Sequence, residues 1–196
     1  MIFFFEMIGT VAFAVSGAIV GMQKKMDLLG VMILGMTTAV GGGILRDLIL
    51  DVTPPMAFQK PVYAVTALIV SAAAFVPLFR YRINENSRLL LLMDALGLGI
   101  FTAVGIRASM DYHNTFLSLF VATVTGVGGG VIRDLFAGER PMIFVRHFYA
   151  CASLIGAVIC LFLWPVGEGT AMAAGTAAVL VLRLLAAHYK WNLPKA

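Results

Sequence analysis

Thr38-Ala39-Val40-Gly41-Gly42-Gly43-Ile44-Leu45-Arg46-Asp47-Leu48 and Thr125-Gly126-Val127-Gly128-Gly129-Gly130-Val131-Ile132-Arg133-Asp134-Leu135 are one phrase written twice, each inside a long apolar stretch. Every shared position is displaced by the same number of residues. Three consecutive glycines weaken a helix, and an Arg-Asp pair is costly at membrane depth. Both features together, repeated at constant spacing, point to a duplicated membrane unit.

Composition supports that setting. The 196 residues are 61% hydrophobic and 12% charged, with a mean hydropathy of +0.96. A soluble domain carries about 25% charged residues, so the chain reads as an integral membrane protein. Crossing a bilayer core of about 30 Å takes about 20 helical residues. Stretches of that kind lie at 2–22, 28–50, 60–79, 88–106, 115–137, 147–165 and 168–189. They are apolar on all sides, unlike the alternating strands of a β-barrel, so the expected fold is all-α with seven transmembrane helices. These spans use most of residues 1–196, which read as a single transmembrane domain, and no length remains for a soluble catalytic domain. Ala12 and Ala14 fit a leader-cleavage pattern, but Glu6 stands where a basic region belongs, so the first stretch reads as a span.

The net charge of +4 is spread over short loops and sets orientation rather than binding nucleic acid. Lys24, Lys25, Arg80, Arg82, Arg88, Arg140, Arg146, Lys190 and Lys195 fall on one side, and Lys60 and Arg107 on the other. The basic side is expected in the cytoplasm, with the N-terminus outside and the C-terminus inside. Cys151 and Cys160 fall on opposite faces of span 6 and read as packing residues. His113, His147 and His188 show no metal-ligand spacing.

The similarity extends past the glycine phrase. Glu6, Gly9, Phe13 and Gly17 in span 1 match Asp94, Gly97, Phe101 and Gly105 in span 4, and Pro54 matches Pro141. Repeat 1 covers about 2–79 and repeat 2 about 88–165, with an extra helix at about 168–189. Each repeat holds an odd number of spans, so the second enters the membrane from the opposite side: an inverted-topology repeat, whose solute sites lie at the repeat interface near broken helices.

Spans 2 and 5 are expected to kink or unwind at Gly41, Gly42, Gly43, Gly128, Gly129 and Gly130. Freed carbonyls there would border a water-filled cavity and suit a dehydrating monovalent cation. The alternative is close helix packing, for which small residues serve in membranes. Ser16, Thr37, Thr38, Thr123 and Thr125 flank these glycines and either line a pore or bond back to their own helix.

The charged residues at depth are Glu6, Arg46, Asp47, Asp94, Arg133 and Asp134. Neighbours on a helix diverge in direction, so Arg46 and Asp47 are not expected to serve each other. Pairing across the repeats would bridge roughly 20 Å along the membrane normal. The expected pairs are therefore Glu6 with Arg46 and Asp94 with Arg133, leaving Asp47 and Asp134 to face a cavity or cap broken backbone. Each mouth then holds two acids and one base, a net negative charge that favours cations. Arg183, near the end of span 7, is expected to snorkel toward water.

The doubled Gly-Gly-Gly-x-x-Arg-Asp phrase, the three-plus-three-plus-one layout and the length resemble prokaryotic members of the trimeric intracellular cation (TRIC) channel family. The resemblance implies a homotrimer in a bacterial or archaeal inner membrane, with a pore in each subunit walled by spans 1, 2, 4 and 5. It implies passive conduction of K+ and, less selectively, Na+, with no cofactor beyond the permeant ions. Animal members carry a lysine motif on span 4 that residues 89–106 lack. The alternative function is secondary transport of a small solute such as glycine, since inverted repeats with broken helices also build transporters. No His-Glu-x-x-His or Gly-x-Ser-x-Gly motif is present, so an enzyme is not expected.

Overall fold

A computed structural model describes residues 2–76, 87–145 and 148–191. The end of the expected third span (77–79), Arg80, Arg82, Arg146, His147 and Lys195 lie outside the described residues. Apolar helices occupy Ile2–Gln23, Leu28–Ile49, Val62–Phe75, Ser87–Ser109, Thr115–Phe136, Tyr149–Leu163 and Glu168–His188, here spans 1 to 7 in order. Six are long and apolar enough to cross a membrane, and Val62–Phe75 is a shorter apolar helix.

Spans 2 and 5 start and stop by the same devices. The side chains of Asp27 and Asn114 cap their first turns, accepting from Gly30 N at 2.7 Å and Leu117 N at 3.1 Å. Both helices end on a left-handed residue, Asp51 and Gly138, with φ of 57° and 69°. The next amides close back on the helix, Val52 N to Asp47 O at 2.8 Å and Glu139 N to Asp134 O at 2.9 Å, as in a Schellman stop. A short helix follows each, Met56–Gln59 and Met142–Val145. Pro141 thus stands where Pro55 stands, each just before its methionine. The expected match of Pro141 with Pro54 is off by one because the first loop is one residue longer.

Spans 1, 2, 4 and 5 form the centre: span 2 packs on span 5, span 1 on span 4, and each of spans 1 and 4 on the helix that follows it. Span 3 flanks spans 1 and 2, span 6 flanks spans 4 and 5, and span 7 packs on spans 4 and 6.

Candidate functional site

The glycines meet where spans 2 and 5 cross. A methyl built on Gly42 would lie 2.2 Å from the Thr125 carbonyl oxygen, and one on Gly129 would lie 2.2 Å from that of Thr38. Gly41 faces Ile132 at 2.5 Å, while Gly128 faces Leu45 at 2.9 Å. These contacts are reciprocal, and they run in opposite chain directions, so the two helices are antiparallel. Only glycine lets backbones come this close.

The expected unwinding is absent. Both helices are continuous across Gly41–Gly43 and Gly128–Gly130, and no turn of carbonyls is released. The missing side chains serve the crossing, and the helical hydrogen bonds survive beside it. The hydroxyls are also spent locally: Thr38 and Thr125 donate to Leu34 O and Val121 O at 2.6 Å each. Thr37 and Thr123 likewise bond to Ile33 O and Leu119 O.

The third glycine of the second run faces a charged cluster, whereas Gly43 faces open space. Gly130 lies beside Tyr149, Asp94 and Arg133. Arg133 is fully buried and joins three spans. It donates to Asp94 Oδ1 at 2.6 Å on span 4, to Ser16 Oγ on span 1, and to Asp134 Oδ1 at 2.9 Å on its own helix. The Tyr149 hydroxyl donates to Asp94 Oδ1 at 3.1 Å. The second carboxylate oxygen of Asp134 accepts from Met142 N at 2.8 Å, capping the short helix beyond.

The first half repeats part of this pattern. Arg46 Nε donates to Asp47 Oδ1 at 2.8 Å, and Asp47 Oδ2 accepts from Met56 N at 2.7 Å. The Tyr63 hydroxyl donates to Glu6. Among the described residues no ion pair joins Glu6 to Arg46, so that expected pair is corrected, while Asp94 with Arg133 forms as expected. The exclusion of adjacent Arg-Asp pairs is also corrected. Backbone directions do diverge between neighbours, but an arginine side chain is long enough to fold round to the next carboxylate.

A cavity opens at each end of this array. One, of about 40 Å³, is bordered by Glu6, Thr10, Gly43, Arg46, Asp47, Tyr63 and Phe101. The other, of about 560 Å³, is bordered by Val20, Gln23, Lys24, Leu90, Asp134, Glu139, Arg140 and Met142. Lys24 forms an ion pair with Glu139 at its rim. Along span 1 the Phe13 and Ser16 side chains lie between the two. Phe13 meets its repeat counterpart Phe101 at a ring distance of 5.3 Å. These rings and the Arg133–Ser16 link lie between the two cavities.

Arg183 does not snorkel. It is 2% exposed, with its guanidinium over the Tyr149 ring at 4.5 Å and a nitrogen 3.8 Å from Asp94 Oδ2. Among the described residues the second-repeat cluster therefore holds two acids, Asp94 and Asp134, and two bases, Arg133 and Arg183, so the net negative charge expected of Asp94, Arg133 and Asp134 is offset there. Tyr63, Tyr149 and Arg183 were not foreseen. The two tyrosines carried a signal, since Tyr63-Ala64 and Tyr149-Ala150 recur near the starts of spans 3 and 6. Arg183 carried none, because it lies on the span without a counterpart.

Comparison with known proteins agrees with the layout. The glycine transporter family model matches residues 3–78 and 91–165, two stretches that fall on the two halves. A UPF0126 membrane protein of Deinococcus radiodurans is 38% identical over 96% of this chain and 89% of its own length. The UPF0126 inner membrane protein YadS of Escherichia coli is 33% identical over 99% and 95%. Among solved structures, a TRIC cation channel is 41% identical, covers 98% of this chain and 96% of its own, and superposes with a TM-score of 0.88. The Rhodobacter sphaeroides TRIC orthologue is 32% identical over 97% and 98%, with a TM-score of 0.86. These solved relatives are channels rather than enzymes. With relatives of this identity matched along nearly their whole length, and a family model covering both halves, the chain belongs to the family of the glycine transporter model and to the trimeric intracellular cation (TRIC) channel family.

Proposed function

We propose that this multi-pass membrane protein is a passive monovalent-cation channel, permeable to K+ and less selectively to Na+, with a path inside each subunit between spans 1, 2, 4 and 5. The observation that carries the reading is the pair of cavities at opposite ends of one helix array, each bordered by the aspartate of one repeated phrase. Carboxylates at a mouth raise the local cation concentration. The matched TRIC cation channel, at 41% identity, supports the same ion class.

The two halves act as inverted repeats, a reading supported by the antiparallel, reciprocal Gly42–Thr125 and Gly129–Thr38 contacts. Glu6, Arg46 and Asp47 then mark the outer end, and Asp94, Arg133 and Asp134 the inner end. The N-terminus lies outside a bacterial or archaeal inner membrane, and the C-terminus in the cytoplasm. Three copies assemble, as the trimeric name of the Rhodobacter sphaeroides orthologue suggests, and the permeant ions serve without a cofactor.

Purified protein recorded in planar lipid bilayers tests this. The expected result is unitary currents whose reversal potential in a KCl gradient lies toward that of K+. The glycine-transporter description of the family model favours a second reading, carriage of a small solute. Saturable glycine uptake into proteoliposomes, with no unitary steps, would select that reading instead.

A further inference from the structure

Span 7 stands outside the repeats, yet it reaches their charged centre at one point. Asp94 divides its two oxygens between two kinds of partner. Oδ1 receives hydrogen bonds from Arg133 and Tyr149. Oδ2 is buried and accepts no hydrogen bond among the described residues, but Arg183 lies 3.8 Å away. A buried carboxylate oxygen with neither hydrogen bond nor cation is strongly disfavoured. Arg183 is held in place over the Tyr149 ring at 4.5 Å, a contact that orients a guanidinium without consuming its charge. Tyr149 thus donates to one oxygen of Asp94 and seats the cation that faces the other.

The opposite end has a different balance. The ionisable residues bordering the smaller cavity are Glu6, Asp47, Arg46 and Tyr63, two acids against one base with a tyrosine between. Glu6 and Tyr63 correspond to Asp94 and Tyr149, but the repeat contains no counterpart of span 7. The near-symmetric array is therefore unequal in charge: the smaller cavity is bordered by an acidic set, while the buried cluster at the other end is balanced and the larger cavity beyond it is bordered by Lys24, Arg140, Asp134 and Glu139, two bases and two acids.

We propose that Arg183 is a selectivity-determining residue, which holds the inner end of the passage near neutrality and leaves cation attraction to the outer end. The inference rests on the channel reading. Arg183 acts through Asp94 and the field at the large cavity, which borders Asp134 and Met142, both of them partners of Arg133. Uneven end charges also make the current depend on its direction.

The test is planar-bilayer recording of the full chain in a KCl gradient, comparing wild type with Arg183→Gln, Asp94→Asn and the double variant. Arg183→Gln uncovers one negative charge, so the K+/Cl− permeability ratio rises about threefold to tenfold, and the inward-to-outward current ratio shifts. Asp94→Asn moves both readouts the other way, and the double variant returns toward wild type because the two changes cancel. A merely structural role would not produce opposite shifts that cancel. If wild type gives no cation-selective unitary current, the channel reading itself fails. If wild type conducts and Arg183→Gln leaves its reversal potential unchanged, the Arg183 assignment is overturned while the channel stands. Should Arg183→Gln not assemble, the comparison of Asp94→Asn with the double variant decides in the same way, identical reversal potentials overturning the assignment.

Discussion

Gly42 rests on the Thr125 carbonyl so closely that a methyl group in its place would lie 2.2 Å from the oxygen. The obstacle is backbone, which cannot swing aside as a side chain does. Gly42→Ala and Gly129→Ala are each expected to destabilise the fold by about 3 kcal/mol or more, the upper part of the range for overpacking. Gly43 has nothing within 4 Å of the same position. Gly43→Ala is therefore expected to be neutral or stabilising by about 1 kcal/mol, from helix propensity alone. Thermal melting in detergent, followed by size-exclusion chromatography, separates the three. Equal melting temperatures for Gly42→Ala and Gly43→Ala would contradict the crossing as described.

That contrast also marks how far the sequence could be read. The spans were legible because apolar runs of membrane length have few alternatives, and the repeat because glycine and buried charge are both expensive there. What a glycine is for was not legible. Gly41 to Gly43 have the same composition whether a helix opens there or another helix crosses it, and only the partner at Thr125 decides. The Arg46–Asp47 pair was hidden by a rule about backbone directions that a long guanidinium arm evades. Arg183 was hidden more deeply, since its partner Asp94 lies on a distant element and no second copy of span 7 exists to draw attention to it.

Asp47 and Asp134 each do two jobs with two oxygens, holding an arginine with one and capping a short helix with the other. Asparagine keeps an acceptor for the amide of Met56 or Met142 but gives up the charge. Asp47→Asn and Asp134→Asn are expected to fold, with a loss of about 1–3 kcal/mol for the weakened charge-assisted bond. Cation preference should fall in both, read as a reversal potential moving toward zero in a KCl gradient. Alanine at position 134 removes both bonds and leaves Arg133 short of a partner. It should cost about 3–5 kcal/mol, as when a buried ion pair loses one member. Asparagine and alanine variants of equal stability would show that the cap is idle.

Ser16 is the point at which Arg133 reaches across to span 1. Its hydroxyl is fully buried, and the bond is to a charged donor, worth about 1.5–3 kcal/mol. Ser16→Ala is expected to lower stability by that amount. It also unties span 1 from span 5 between the two cavities, so the open probability in bilayer recordings should rise. A variant with a lower melting temperature and unchanged gating would make the link purely structural.

Phe13 and Phe101 occupy corresponding positions in the two halves, and their rings meet at 5.3 Å, but their surroundings differ. Phe13 is fully buried and packs against Gly97 and Gly129, where even a methyl group would be crowded by its ring. Phe13→Ala therefore leaves a cavity inside the central helix array and is expected to cost about 3–5 kcal/mol. Phe101 borders the smaller cavity, so truncating it enlarges space that is already open on one side, and the cost should fall below that of Phe13→Ala. If the path runs between these rings, Phe101→Ala widens its narrowest part, and unitary conductance should increase while the reversal potential, set by the charged ends, stays near wild type. Conductance unchanged in a stable Phe101→Ala protein would move the path away from the aromatic pair, and with it away from the axis between spans 1 and 4.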